Sequence, residues 1–241
     1  MPSHDDASRI TLTVFTVNSM QASLGELLPQ FERANNCRIA VEFDTGKLTI
    51  ERISSGQVGD LVIVNANTMD ELDALRKTVA SSRHGLAVST IGVAVLTGAP
   101  KPDISSAAAF KRALLDARSI AYTSAGASGI YFASLIERMN IAAQVRAKAR
   151  TRPGGLIGTL VASGEAEMAV QQVPELLAVP GIQFVAPLPN EYQVRSLITG
   201  SILAGARHPQ KAQALLDFLG SSHAASVYKA KGYDLPGSGP A

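Results

Sequence analysis

The sequence predicts an α/β protein of two lobes, each built on a mixed, mostly parallel sheet with flanking helices. Three observations point there. Apolar, β-branched runs alternate with helically patterned stretches from one end of the chain to the other, as in βα units. The length of 241 residues suits one large domain or two smaller ones. Four of the strand-to-helix junctions carry the same Ser, Thr and Gly chemistry, as expected where strands of open sheets end at a ligand site.

Element by element, "ITLTVFTV" (Ile10 to Val17) reads as a strand. A helix follows from about Met20 to Asn35, with Leu24, Leu27, Leu28 and Phe31 on one face. The strand "RIAVEF", a short helix from Leu48 to Ser54, the strand "DLVIV" and a helix through "MDELDALR" complete a three-strand unit. A second series runs through "IGVAVL", a helix from Ser105 to Leu115, "SIAYT" and a helix from Ser128 to Met139. It continues with a strand near Gln144 to Arg150, a helix from Leu156 to Ser163 and the strand "EMAVQQV". After the Pro-rich "VPGIQFVAPLP", "RSLITGSILAG" reads as a strand and "PQKAQALLDFLG" as a helix with Pro209 at its start. No repeat at a fixed period is present. The chain is expected to cross between lobes from His84 to Gly92 and to return near Tyr192 to Ser196. Residues 1–88 plus 196–241 then form lobe 1 and 89–195 lobe 2, with a ligand cleft between them and a disordered tail at 236–241.

Composition narrows the function. Lys plus Arg number 22 against 20 for Asp plus Glu, with no dense basic run, and aromatic residues are 5% with no Trp. Nucleic acid is therefore not an expected partner. The single Cys37 has no internal disulfide partner and reads as a buried structural thiol. His4, His84, His208 and His223 form no metal or nucleophile constellation, and "HDD" near the start reads as a solvated tail, so no metal and no cofactor are predicted. The opening "MPSHDDASRI" has neither a basic leader nor an apolar core, and no apolar run could span a membrane. As written the chain reads as cytoplasmic and monomeric, and as periplasmic if a leader has been removed.

The four junctions are "VNSMQ" with Asn18 and Ser19, "FDTGKLT" with Thr45, Gly46 and Lys47, "AGASGIY" with Ser128 and Gly129, and "RPGGLIG" with Gly154 and Gly155. Each puts a hydroxyl or a glycine at a helix start, where free N–H groups and the helix dipole favour an anion. Ordinary capping explains any one of them. Four together suggest a cleft lined by N–H and O–H donors. Lys47 opposes the dipole of its own helix, a placement that an anion in the site would justify. "TGK" is not a phosphate loop, because Val41 replaces the first glycine and Leu48 the magnesium-binding hydroxyl. "GASGI" is not a nucleophile elbow, because Ile130 replaces its last glycine. Gln171 and Gln172 end a strand on the cleft side; period-2 alternation predicts that one faces the ligand and the other points outward.

The stretches "ITLTVFTVNSM…LLPQFERANN", "EFDTGKLTIERISSGQVGDLVIV" and "ASGIYFASLIERMNI" resemble the molybdate-binding-protein branch of the type 2 periplasmic binding proteins, over about Ile10 to Lys231. The resemblance implies a venus-flytrap fold closing on a small anion through hydroxyls and backbone N–H groups. By position, the family's first binding serine matches Ser19, its second falls within Thr45 to Lys47, its backbone-donating alanine matches Ser128, a further backbone contact falls near Gly155, and its binding tyrosine falls at Gln172. Lysine and glutamine at those places depart from a molybdate site, and a full positive charge suits a carboxylate. Within the branch the chain is similar to a subgroup of substrate-binding proteins that aconitate isomerase also resembles.

Two classes of function follow. One is a solute-binding protein for an organic di- or tricarboxylate, with an ABC transporter permease as partner only if the protein is exported. The other is an isomerase of unsaturated carboxylic acids, in which Lys47 neutralises a carboxylate or acts as base while Ser19 and Ser128 stabilise a dienolate. A molybdate- or tungstate-binding transport component is a further alternative.

Overall fold

The computed structural model describes residues 9–237. The "HDD" stretch and the last four residues of the expected disordered tail lie outside them, while Pro236 and Gly237 form a turn. The chain divides into two compact units, one holding residues up to Val88, Leu197–Ala230 and the stretch from Asp234, the other Ser89–Ser196 and Lys231–Tyr233.

In chain order the elements are β1 (Ile10–Val17), a 3-10 turn (Asn18–Met20), α1 (Gln21–Asn35), β2 (Cys37–Asp44), α2 (Gly46–Ser54), β3 (Leu61–Asn65), α3 (Ala66–Ala74) and β4 (His84–Ser89). They continue with β5 (Ile91–Leu96), α4 (Ala107–Asp116), β6 (Ile120–Thr123), α5 (Ala127–Arg138), α6 (Ala142–Arg146), β7 (Ala149–Arg152), α7 (Thr159–Ala162), β8 (Met168–Gln172), α8 (Val173–Leu177) and β9 (Ile182–Pro187). The last are β10 (Ser196–Ile202), α9 (Pro209–Leu219) and α10 (Ser222–Ala230).

Each unit carries a five-stranded mixed sheet, β2-β1-β3-β10-β4 in the first and β7-β6-β8-β5-β9 in the second. In the first, β1 runs parallel to β2 and β3 while β10 is antiparallel to β3. In the second, β6 runs parallel to β7 and β8, and β5 is antiparallel to both β8 and β9. Alternation along the strands sorts the cores. Phe15, Val62 and Val64 pack with Ile53, Met69 and Leu72 beneath α2 and α3. In the second unit Ile120, Tyr122, Val93 and Val170 face α4, α5 and α6, whereas Ala121, Ala94 and Ala169 face α7 and α8. The alanines let those two short helices sit close to the sheet.

The structure corrects several element expectations. The strand expected at Gln144 to Arg150 instead opens with the end of helix α6 and a turn, and β7 begins only at Ala149. Ile141, Ala142 and Val145 are buried at helical spacing, and the Ala, Gln and Arg between them favour helix. Of the helix expected at Leu156 to Ser163, only Thr159–Ala162 is α-helical, and the Ile157 N–H ahead of it bonds to the Gln171 side chain. The Pro-rich segment contains the strand β9, which tolerates Pro187 because it is an edge strand ending there. Cys37 is buried as expected, and burial raises its thiol pKa.

Gly129, on the first turn of α5, packs so tightly on the end of β6 that an added Cβ would lie 1.6 Å from the carbonyl oxygen of Thr123. No rotamer relieves a clash with backbone. Gly129→Ala is therefore expected to cost at least about 2 kcal/mol of stability, read as a lowered urea midpoint; an unchanged midpoint would refute this packing.

Candidate functional site

The parallel registers set the site residues side by side within each unit. Val17 is level with Asp44 and Thr16 with Ile63, so β1, β2 and β3 release their helices at one edge of the first sheet. Asn18 and Ser19 lie in the 3-10 turn at that edge; Ser19 is 8% exposed, and its hydroxyl has no partner among the described residues. Thr45 caps α2, its Oγ1 accepting from the Leu48 N–H at 3.4 Å. The Gly46 and Lys47 N–H groups have no partner among the described residues, as expected for a first turn. A Cβ on Gly46 would meet Thr68 Oγ1 at 2.5 Å, so glycine is what lets the starts of α2 and α3 touch. The Lys47 side chain is 85% exposed, with its ammonium 3.8 Å from Glu51 one turn on. Its charge is thus solvated and loosely paired, and the structure brings its backbone, more than its side chain, to the cluster.

In the second unit, Ser124 N–H donates to the Arg152 carbonyl at 2.8 Å and Ala125 N–H to that of Pro153 at 3.1 Å. This zipper seats the start of α5 against the Gly154–Gly155 turn. The cap position Gly126 offers no side chain, and the N–H groups of Ala127, Ser128 and Gly129 have no partner among the described residues. Ser128 is 3% exposed, yet its hydroxyl is likewise unbonded among them. Gly155 sits at φ +80, a conformation that glycine adopts freely, and the N–H groups of Gly155 and Leu156 are also free among the described residues.

Gln171 and Gln172 close this edge, and neither points outward. β8 lies inside its sheet with both faces covered, so both side chains are buried, against the expected alternation. Gln171 Oε1 accepts from the Ile157 N–H at 2.9 Å, and its Nε2 donates to the Gly155 carbonyl at 2.7 Å. The Ser89 hydroxyl donates to Gln172 Oε1, which leaves the Gln172 NH2 group without a partner among the described residues. Glu175 is buried beside them, and burial pushes its carboxyl pKa up to about 8.

Sequence reasoning missed Asn65, Thr123, Ser89 and Glu175. Asn65 starts α3 without capping it, and its Oδ1, like Thr16 and Thr123 Oγ1, is buried with no partner among the described residues. Its signal was available: Asn65 follows "DLVIV" as Asn18 follows "ITLTVFTV". Glu175 stands three residues after Gln172, which is capping-box spacing. A cavity of about 340 Å³ in the second unit opens instead where β5 ends and β8 begins, near Val95 and Met168, away from all of these residues. Among the described residues no cluster of His, Cys, Asp and Glu could hold a metal ion, and no helix is long and apolar enough to cross a membrane.

The donor sets are neutral: hydroxyls, one amide and the N–H groups of helix starts and a glycine turn. Such sets suit an anion. Residues 12–234 match the family model described as bacterial extracellular solute-binding protein. The chain belongs to that family. Among its relatives, this solute-binding protein is 36% identical to an aconitate isomerase from a Pseudomonas species over 228 residues, covering 92% of this chain and 87% of that one. Its fold is shared with the periplasmic molybdate-binding protein of Azotobacter vinelandii (TM-score 0.78, 16% identity, covering 93% of this chain and 99% of the other). It is also shared with the sulfate-binding protein of Mycobacterium tuberculosis H37Rv (TM-score 0.74, 15% identity, covering 95% and 88%). The chain therefore has the type 2 periplasmic binding protein fold, shared with the molybdate-binding protein, and is similar in sequence to aconitate isomerase.

The raised pKa of Glu175 has a consequence for stability. The unfolded chain releases this proton near the ordinary value of 4.5, whereas the folded protein keeps it to about 8. The folded state therefore binds more protons between those values, and stability contributed through this group falls as pH rises across that window. Replacement by neutral glutamine should flatten the slope. Urea midpoints of wild type and Glu175→Gln, compared at about pH 5 and about pH 8.5, should draw apart in favour of the variant at the higher pH; a constant difference would refute the buried acid.

Proposed function

We propose that this solute-binding-family protein binds a small organic di- or tricarboxylate. Its donors are Asn18, Ser19, Thr45, Gly46 and Lys47 from the first unit and Ser128, Gly129, Gly154, Gly155 and Gln172 from the second. The observation that carries the reading is the group of donors left unbonded around the start of α5: the N–H groups of Ala127 to Gly129, the Ser128 hydroxyl and the Gln172 amide. First-turn N–H groups are open in any helix, but Ser128, Gly129 and Gln172 are buried residues, where donors are nearly always paired, so their open groups favour an acceptor there. Two features favour a carboxylate over a compact oxyanion. Lys47 adds a full positive charge at a helix start, and the relative at 36% identity is an aconitate isomerase.

That relative also supports a second reading, catalysis on the same ligand. An allylic isomerisation removes a proton from the carbon beside the double bond, leaves a dienolate and returns a proton at the far end of the allylic system, so that composition is unchanged. In this reading Lys47 moves the proton, and the Ser19 and Ser128 hydroxyls donate to the developing oxyanion.

A thermal-shift panel tests the ligand class, with molybdate, tungstate, sulfate and phosphate against cis-aconitate, trans-aconitate, citrate and itaconate. A ligand at 100 times its Kd stabilises the folded state by about 2.7 kcal/mol, raising Tm by roughly 5 to 10 °C. The expected result is a shift with the carboxylates; a shift with molybdate and tungstate alone would overturn the assignment. Proton NMR of the aconitate samples then separates binding from turnover.

Two substitutions test the residues. Lys47→Ala should weaken carboxylate binding about tenfold, and unchanged calorimetric affinity would remove Lys47 from the site. Ser128→Pro, which deletes an N–H that the helix does not use, should abolish binding, whereas Ser128→Ala should weaken it only modestly. Equal losses would contradict a backbone contact there.

A further inference from the structure

Gln171 is a polar side chain on an otherwise apolar face. Along β8, Ala169 and Gln171 alternate onto the same side, where Ala94, Ala121, Ile157 and Leu160 form a core with Ala169. Gln171 is 1% exposed, yet both ends of its amide are bonded. Its Oε1 accepts from the Ile157 N–H at 2.9 Å, and its Nε2 donates to the Gly155 carbonyl at 2.7 Å. One partner is a donor and the other an acceptor, so the pair admits a single orientation of the amide. Sheet pairing explains why a side chain is needed here. β6 pairs with β8 only at Ile120 with Met168 and Ala121 with Ala169, whereas it stays paired with β7 as far as Thr123 with Arg152. Beyond Ala169, β8 has lost β6 as a neighbour, and Gln171 reaches the segment that follows β7 instead.

The segment it grips needs holding. Gly154 and Gly155 are adjacent glycines, and glycine loses more backbone freedom on ordering than any other residue. On the entry side, the Ser124 and Ala125 N–H groups donate to the Arg152 and Pro153 carbonyls. On the exit side, the Gly155 carbonyl and the Ile157 N–H have no partner among the described residues except the Gln171 amide. An apolar side chain in place of Gln171 would leave both of them unpaired. With the turn fixed from both sides, the N–H groups of Gly154, Gly155 and Leu156 stand open in succession, without a partner among the described residues. Successive open N–H groups in a turn make a concavity suited to an anion.

We propose that Gln171 is a positioning residue of the anion site: its amide clamps the Gly155 carbonyl and the Ile157 N–H, so that the N–H groups between Gly154 and Leu156 are presented to the ligand in one fixed conformation. The proposal rests on the reading that this turn contacts the anion. It gives the two glutamines at the end of β8 separate tasks, Gln172 offering its own amide to the ligand and Gln171 acting only through the turn.

The test uses Gln171→Met, which keeps a similar volume without hydrogen-bonding groups, and Leu114→Ala, which opens the buried core beneath α4 far along the chain from the turn. Three quantities are read: the urea midpoint, NMR order parameters of the Gly155 and Leu156 amides in ligand-free protein, and calorimetric affinity for trans-aconitate. In Gln171→Met the two order parameters should fall from about 0.85 to below about 0.6. Its affinity should fall about tenfold while the protein remains folded. Leu114→Ala should lower the urea midpoint and leave both other readouts unchanged, which separates holding the turn from general stability. Unaltered order parameters or unaltered affinity in Gln171→Met would overturn the proposal, as would equal losses in Leu114→Ala. Should Gln171→Met fail to fold, Gln171→Asn is measured instead. Its amide is one methylene short of the two partners, so a loosened turn with weaker binding supports the proposal and wild-type values overturn it. If wild type binds no member of the panel, the reading of the turn as a ligand contact fails, and the ligand-free order parameters still decide whether Gln171 holds it.

Discussion

The constraint behind the site is the unpaired backbone N–H at the start of a helix. An α-helix leaves its first N–H groups without internal partners, and parallel strands in register deliver several such starts to one edge of a sheet. In the first unit the starts of α1, α2 and α3 meet where β1, β2 and β3 end. In the second, the start of α5 meets the Gly154–Gly155 turn where β6 and β7 end. Residue choice at these starts then decides which donors remain. Thr45 satisfies one N–H of α2, whereas Gly126 satisfies none of α5.

Leaving donors unpaired costs stability, and the cost is concentrated. Among the described residues, Thr16 and Thr123 have buried hydroxyls without partners, Asn65 a buried carbonyl oxygen, and Glu175 a buried carboxyl whose pKa no cation lowers. All four lie at or just after the carboxyl ends of strands. The cores beneath them, such as the aliphatic set around Val93, Ile120 and Val170, show no such defects among the described residues. A further unpartnered hydroxyl, Ser23, lies in α1. Polar frustration gathered at one edge of each sheet is what a site held ready for a ligand would produce, since binding can relieve it.

The fold was legible because its signal is periodic. Strands such as "ITLTVFTV" and "DLVIV" and the α1 face of Leu24, Leu27, Leu28 and Phe31 need only alternation and helical spacing to be read. β9 was hidden by its prolines, and α6 by a β-branched residue, Val145, that is buried for helical reasons. At the site, the junction residues were legible from chemistry, since Ser, Thr and Gly at helix starts carry meaning one residue at a time. The supporting residues were not. Ser89 reaches Gln172 across a separation in sequence that follows from sheet pairing, with Ile91 opposite Gln172. No local pattern encodes such a partner.

Lys47 and Gln172 illustrate how differently two residues of one expected site can be placed. Gln172 is buried and its amide is pinned by Ser89, so its donor direction is set before any ligand arrives and little entropy remains to be lost. Lys47 is exposed and only loosely paired with Glu51, so recruiting its ammonium would mean breaking a solvated ion pair and ordering a flexible stem. Fixed neutral donors recognise the shape and hydrogen-bonding capacity of an anion, whereas a mobile cation responds mainly to its charge. An organic carboxylate offers both a shape for fixed donors and a charge for a mobile cation. A compact tetrahedral ion would be satisfied by the fixed donors alone, and the lysine would then contribute only long-range attraction.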